Sequence, residues 1–243
     1  MRVGVVGAPG RMGSEACRAV LGDDELELVA RIGRTDSLDL LVEAEADVAV
    51  DFTTPSAVLA NVRFYLSHGI HAVVGTSGLT PADLSDIAAR ARAGQANAFV
   101  APNFAVGAVL MMSFAARAAR HFARAEIVER HHDRKVDAPS ATALRTAALM
   151  NEARGAPWPD ASPSKETLAA SRGGISGGVR IHSLRLPGSV AHQEVLLGAP
   201  GETLVLRHDS LDRSSFMPGV LLAVKRVAFL DGLTVGLEQL LDL

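Results

Sequence analysis

The sequence predicts an α/β fold in two domains: an N-terminal doubly wound parallel sheet, and a second α+β domain with a mixed, mostly antiparallel sheet. Three observations carry that expectation. A glycine-punctuated loop, Gly7 to Gly13, joins a short apolar strand to a helical pattern. Short apolar strands then alternate with helical segments as far as about residue 107. Beyond residue 178 the pattern changes to three strands separated by short turns, which is the spacing of hairpins.

The first strand is Val3–Val6, and its helix runs to about Leu21, with Ala16, Cys17, Val20 and Leu21 at helical spacing. Between them lies Gly7-Ala8-Pro9-Gly10-Arg11-Met12-Gly13, a G-x-x-G-x-x-G run that departs from the usual dinucleotide-binding spacing only at its middle glycine. The physical roles survive that change. Gly7 permits the tight turn, Gly10 lets backbone approach a pyrophosphate, and Gly13 lets helix and strand pack closely. A merely tight turn would use similar residues, but a strand-to-helix junction opening the chain favours a Rossmann-like dinucleotide site.

The second strand, Leu26–Ala30, should end at the adenosine ribose. NAD-preferring sites place an acid there to accept the 2′-hydroxyl. Here Gly33 takes that place, flanked by Arg31 and Arg34, and guanidinium groups attract a 2′-phosphate. The expectation is NADPH in preference to NADH. Asp36 pulls the other way, and two ordinary surface arginines are the plain alternative.

Val48–Phe52 is the next strand, and the helix after it is expected to start over Thr53–Ala57, with Thr54 as N-cap and Pro55 in the first turn. Ala72–Val74 ends in Gly75-Thr76-Ser77-Gly78, Thr80-Pro81-Ala82-Asp83 caps another helix, and Ala98–Ala101 runs into Pro102-Asn103-Phe104. Ligands of doubly wound sheets sit at the carboxyl ends of strands. Gly75, Thr76, Ser77, Ala101, Pro102, Asn103 and Phe104 therefore belong beside the nicotinamide, with simple turn chemistry as the alternative.

A long Ala- and Met-rich helix follows from Gly107 to about Phe122. The next strand runs into His131-His132-Asp133-Arg134-Lys135 and then Pro139-Ser140 at the head of a helix reaching Ala153. Two imidazoles and an ammonium beside a helix N-terminus suit binding and protonating a small anion; a solvated basic turn is the bland reading. Adjacent strand residues point to opposite faces, so His131 and His132 are not expected to share a metal ion. Residues 154–178 are rich in Pro, Gly and Ser, either a mobile flap or simple disorder. Strands over Val179–Leu186, Val190–Leu197 and Glu202–His208 should form successive antiparallel hairpins, closed by Pro187-Gly188 and Ala199–Gly201. With helices on one face only, the other should be apolar and seek a twin. A last helix, Phe216–Phe229, and a Leu-rich tail return to the first domain. The domains are expected at 1–104 with 217–243, and at 105–216.

The 243 residues carry a formal net charge of −3, which gives no electrostatic reason for a nucleic-acid partner. A single cysteine, Cys17, excludes an internal disulfide and a cysteine-rich metal centre. No leader pattern and no bilayer-length apolar run is apparent, so a cytoplasmic protein with no membrane partner is expected.

Taken together, Gly7–Gly13, Asp51-Phe52-Thr53, Val74–Gly78, Ala101–Phe104 and Glu129-Arg-His-His-Asp-Arg-Lys-Val-Asp-Ala-Pro-Ser-Ala-Thr-Ala143 resemble 4-hydroxy-tetrahydrodipicolinate reductases, formerly called dihydrodipicolinate reductases, of the actinobacterial type. The resemblance extends over the whole chain, including His192–Val195 and Arg207–Ser210. It implies a homotetramer and nicotinamide-dependent reduction of a small cyclic dicarboxylate on the route to diaminopimelate and lysine. It also implies catalytic roles for His131 and Lys135 and substrate binding by His132, Ser140, Ala141 and Thr142. The family's usual Pro-Ser-Gly-Thr is Pro-Ser-Ala-Thr here, which raises the question of whether the Ala141 methyl obstructs a carboxylate or strains the backbone. Hydride addition to a conjugated imine builds negative charge that a proton from Lys135 or His131 can quench. Domains closing on a hinge near residues 104–107 would bring the reactants together. A different two-domain dehydrogenase, or a non-catalytic redox sensor, are the rival classes.

Overall fold

Strands β1 (Arg2–Val6), β2 (Glu27–Ile32), β3 (Val48–Asp51), β4 (His71–Val74) and β5 (Ala98–Val100) form one parallel sheet, completed at its edge by β11 (Leu233–Val235). The sheet belongs to a computed structural model that describes residues 1–159, 165–241 and 243. The chain divides there into two units, Met1–Val106 with Arg213–Leu243, and Gly107–Asp212. The order β11-β5-β4-β3-β1-β2 places a topological switch point between β1 and β3, where doubly wound sheets bind ligands. All of β3 and β5 is buried, as expected of parallel strands covered on both faces.

Helices α1 (Arg11–Leu21), α2 (Asp39–Glu43), α3 (Val58–Ser67) and α4 (Pro81–Ala93) follow successive strands of this unit. Helix α4 has the expected cap: the Thr80 side chain accepts from Asp83 N, and the Asp83 carboxylate accepts from Thr80 N. The expected cap of α3 does not form. That helix starts only at Val58, behind Ala57, with no side-chain cap. Thr54 contributes its carbonyl to Ala57 N and Val58 N, while its hydroxyl bonds Ser56. The Thr53 and Thr54 backbone is thereby kept as the lip of the β3 crevice rather than as a helical turn. At the far edge, Asn97 donates to the carbonyls of Val227 and Leu230 at the end of α7 (Met217–Val227) and accepts from Gly232 N. One amide thus satisfies carbonyls left over at a helix terminus and feeds the chain into β11.

The second unit holds α5 (Val106–Ala119, entering from the first unit), β6 (Arg124–His131), α6 (Ala141–Arg154), β7 (Gly174–Ser176), β8 (Val179–Arg185), β9 (Ala191–Ala199) and β10 (Glu202–Ser210). Its mixed sheet has the order β10-β9-β6-β8-β7. The β9–β10 hairpin forms as expected, with Ala199 opposite Glu202 and Gly201 at φ +85°. The expected β8–β9 hairpin does not: β6 lies between them, parallel to β8 and antiparallel to β9. Neighbouring strands are about 4.8 Å apart, so strands separated by one intervening strand lie roughly 10 Å apart. The segment between Arg185 and Ala191 spans that gap without difficulty. Strand β7 lies in the stretch read as loop, paired with β8 through Gly177-Gly178, both at positive φ. Two consecutive positive φ angles suit a tight hairpin turn, so a flap over the whole of 154–178 is not observed; positions 160–164 lie outside the described residues.

The two faces of this sheet differ. Ile127, Ile181, Val195 and Leu197 are buried. The opposite face is not the plain apolar surface expected, because Glu126 pairs with His182 and Arg172, and Arg207 pairs with Glu194 and Asp209. Ile175, Leu184, Leu196 and Val205 are apolar residues exposed among these charges.

Candidate active site

In the first unit the glycine loop has the geometry of a phosphate cradle. Gly7 sits at φ +84°, and a Cβ there would meet the Phe52 carbonyl oxygen at 2.3 Å. A Cβ on Gly13 would meet the Gly7 oxygen at 2.1 Å, so this glycine is what lets α1 lie against the loop. Gly10 is the N-cap of α1 and supplies no side-chain cap. The first N–H groups of the helix thus keep the partial positive charge that suits a phosphate. The loop walls a cavity of about 620 Å³ together with Gly33, Arg34, Asp36, Thr53 and Asn61.

The other residues singled out in this unit divide by burial. Arg11 is exposed and Met12 half-buried at the start of α1. Ala8, Ala101 and Phe104 are buried at 8%, 3% and 3% exposure, so only their backbone can face a ligand. The Phe104 ring packs edge-on to Phe52 and beside Phe99. Pro102 is exposed, and Asn103 spends its Oδ1 on Ala105 N at 2.9 Å. Gly75 lies against the Phe52 ring, where a Cβ would come within 2.2 Å. Ser77 is exposed, while Thr76 points to Asp51.

Asp51 carries no site role among the sequence expectations, although it opens the Asp51-Phe52-Thr53 motif. It is fully buried at the end of β3. Its Oδ1 accepts from Thr53 N, Thr53 Oγ1 and Thr76 Oγ1 at 3.0, 2.6 and 2.9 Å. Its Oδ2 accepts from Asn61 Nδ2 and Tyr65 Oη at 2.9 and 2.8 Å. One carboxylate therefore ties the turns after β3 and β4 into a single rim. Its signal in the sequence was the Asp51-Phe52-Thr53 motif at the end of an apolar strand.

The second unit assembles the imidazole–ammonium turn around Glu129. This carboxylate is fully buried. It accepts from His131 Nδ1 at 2.5 Å, from both Nη atoms of Arg185 at 3.0 and 2.9 Å, and from Ser140 N at 3.3 Å. Burial alone would raise its pKa, but Arg185, Ser183 and His131 outweigh that and hold it below the ordinary value. His131 is pulled the opposite way from a typical carboxylate-paired histidine. Burial lowers its pKa, Lys135 and Arg185 add to the lowering, and Glu129 opposes them. Lys135 donates to both oxygens of Asp137 at 2.7 and 2.8 Å. That hydrogen bond first, then a backbone hydrogen bond and after it the lysine charge, depresses the Asp137 carboxyl. Arg185 also donates to the Asp137 carbonyl at 2.6 Å. His131, Lys135 and Ser140 are thus linked through Glu129, Arg185 and Asp137.

Ser140 is the N-cap of α6, its hydroxyl accepting from Ala143 N at 3.2 Å. Ala141 is the exposed first residue of that helix. It is absent from the non-glycine residues at positive φ, which among the described residues are Glu45 and Ala170. The alanine therefore sits in unstrained helical backbone. Thr142 is half-buried, and Nδ1 of His132 is buried with no hydrogen-bond partner. Among the described residues no group of three or more His, Cys, Asp or Glu is placed to hold a metal ion. None of the described helices is long and apolar enough to cross a membrane.

Residues 1–104 match the family model for the N-terminus of dihydrodipicolinate reductase, and residues 107–241 match that for its C-terminus. The chain belongs to the dihydrodipicolinate reductase family. The 4-hydroxy-tetrahydrodipicolinate reductase of Streptomyces griseus is 53% identical over all of this chain and 98% of its own length. That of Mycolicibacterium smegmatis is 50% identical over the full length of both. A solved dihydrodipicolinate reductase from Paenisporosarcina sp. TG-14, with dipicolinate bound, superposes with a TM-score of 0.90 at 38% identity, covering 98% of each chain. This family member is an enzyme, an oxidoreductase that works with a nicotinamide cofactor.

Proposed function

We propose that Lys135 and His131 are the catalytic residues with which this reductase carries out its reaction, the reduction of 4-hydroxy-tetrahydrodipicolinate to tetrahydrodipicolinate on the diaminopimelate route to lysine. The observation that carries the reading is the hydrogen-bonded set His131–Glu129–Arg185–Asp137–Lys135 at the head of α6, in a chain that is full-length similar to named reductases of this substrate. At Gly7 and Gly13 a Cβ would strike the backbone of Phe52 and of the loop itself, so these glycines let the loop fold tightly onto the start of α1, and the first unit fits a dinucleotide. The reduced nicotinamide supplies the hydride. The glycine loop, with Arg11 and Met12, would hold the pyrophosphate, and the Thr76 and Asn103 turns would border the nicotinamide.

The rest of the chemistry falls to the second unit. Ser140, Ala141 and Thr142 open α6, where free N–H groups and the helix dipole suit one substrate carboxylate. The otherwise unpartnered Nδ1 of His132 supplies a further polar contact. An ammonium has three protons to offer, whereas an imidazole whose pKa is lowered by burial is mostly neutral at pH 7. The 4-hydroxyl leaves as water to give the conjugated imine that takes the hydride; Lys135 is then the better donor, its N–H bond breaking as a C–H bond forms at the carbon bearing the charge, and Asp137 is the partner it leaves. A dicarboxylate would compete with Asp137 for that ammonium before the transfer.

NADPH is the preferred cofactor in this reading, because Arg34 lines the cavity beside Gly33. One observation favours NADH instead: Asp36 Oδ2 accepts from Gly33 N at 2.7 Å, which brings a carboxylate to the same wall. A homotetramer built on the mixed sheet's charged, partly apolar face, working in the cytoplasm, completes the proposal. The test is oxidation of NADPH and NADH by the purified enzyme with freshly generated substrate. Lys135→Ala should lose about 10²–10⁴ in kcat with the KM for cofactor little changed. Unchanged turnover would remove Lys135 from the mechanism.

A further inference from the structure

We infer that Glu129 and Arg185 are positioning residues that hold His131 in the Nδ1–H tautomer, so that its Nε2 is presented to the reaction. The inference rests on the proposed placement of His131 at the reacting centre, and it adds two residues that carry no assigned role. The geometry begins with strand periodicity. Glu129 and His131 lie two apart on β6 and so point to the same face, with Ser183 and Arg185 opposite them on β8.

Glu129 meets four nitrogen donors with two oxygens, and the Ser183 side chain adds a further hydrogen bond. Oε2 takes His131 Nδ1 and Arg185 Nη1, while Oε1 takes Arg185 Nη2 and Ser140 N. An ionised carboxylate can only accept, so a carboxylate facing Nδ1 requires the hydrogen to be on Nδ1. The lone pair of the neutral ring is then at Nε2. Arg185 has two effects. It keeps Glu129 ionised although fully buried, and it stops the carboxylate from drawing His131 into a permanently charged pair. The charged groups facing His131 are Glu129 on its own strand, Arg185 on β8, and Lys135 of the following turn with its partner Asp137. The cations offset the carboxylate, and burial decides for the neutral ring.

Substitution by the isosteric amide makes the inference testable. In Glu129→Gln one end of the side chain becomes a donor. Ser140 N–H cannot become an acceptor, whereas His131 Nδ1 can, by changing tautomer. The amide NH₂ should therefore turn to His131, leaving its hydrogen on Nε2. The expected result is a reversal of the His131 ¹⁵N shift pattern in histidine-labelled enzyme, with kcat lower by at least about 100-fold and KM for substrate changed by less than about three-fold. Arg185→Met gives a second, milder variant. With Glu129 no longer shared, the Glu129–His131 pair should keep its proton to higher pH, so the His131 titration and the acidic limb of the kcat profile both rise by about one unit. A His131 tautomer and titration unchanged in both variants would overturn the inference, whatever their activity. If the tautomer reverses but His131→Ala has full turnover, the placement of His131 in the reaction fails while its control by Glu129 stands.

Discussion

Replacing Asp51 by alanine tests whether the rim of the proposed cofactor crevice is held by one buried carboxylate. Five donors converge on it, but they do not lose equally. Thr53 N retains Thr76 Oγ1 at 2.8 Å, Thr76 Oγ1 retains the Asp51 carbonyl at 3.3 Å, and Asn61 Nδ2 retains Thr53 Oγ1 at 3.4 Å. Two hydroxyls, those of Tyr65 and Thr53, are left with no other acceptor. Tyr65 is fully buried and Thr53 half-buried, so at ~1–3 kcal/mol for an orphaned buried group and less for one that water can reach the cost is about 2–4 kcal/mol. Relief from burying a carboxylate offsets part of it, so we expect about 2 kcal/mol, or roughly 4–8 °C in Tm for a chain of this size. Asp51→Asn should cost only about 1 kcal/mol, because its oxygen can keep the Thr53–Thr76 side while Asn61 flips and Tyr65 accepts. Scanning calorimetry of both variants, with NADPH titrations alongside, reads the effect. Affinity for NADPH should fall about 5–10-fold in the alanine variant and recover in the asparagine one. An alanine variant melting within ~2 °C of the parent would refute the assignment of the rim to Asp51.

The remaining outcomes concern selectivity and acid sensitivity. Arg34→Asp should swing preference towards NADH by removing a guanidinium that attracts a 2′-phosphate; unchanged selectivity for NADPH, measured as the ratio of kcat/KM values, would mean that the phosphate is read elsewhere. Burial lowers the pKa of His71, His131 and His208. A lowered pKa means that the unfolded chain binds more protons between the folded value and about 6.5. Stability should therefore be full above about pH 6.5 and decline as pH falls through the folded values. Glu129, also lowered, adds a further loss only below its ordinary carboxylate range. A melting temperature flat from pH 7.5 to 5.5 would contradict the histidine contribution.

Much of this molecule could be read directly from its residues. The G-x-x-G-x-x-G spacing specified a strand, a turn and a helix because only glycine tolerates the positive φ at position 7 and the contact at position 13. Thr80 and Asp83 announced their helix because a capping box is satisfied within four residues. Pro200-Gly201 announced the β9–β10 hairpin, and Gly177-Gly178 carried a similar signal for β7 that the surrounding Pro, Gly and Ser obscured. His131, Lys135 and Ser140 stood out by chemical type and spacing. Tertiary structure alone decided the rest. A short turn permits a hairpin but does not enforce one, and β6 entered between β8 and β9 because its ladder hydrogen bonds with both outweighed local continuity. Asp51 and Glu129 stood in recognisable motifs beside their local donors Thr53 and His131, but their burial was not legible, because Tyr65 and Arg185, which complete their hydrogen bonding, arrive from distant segments.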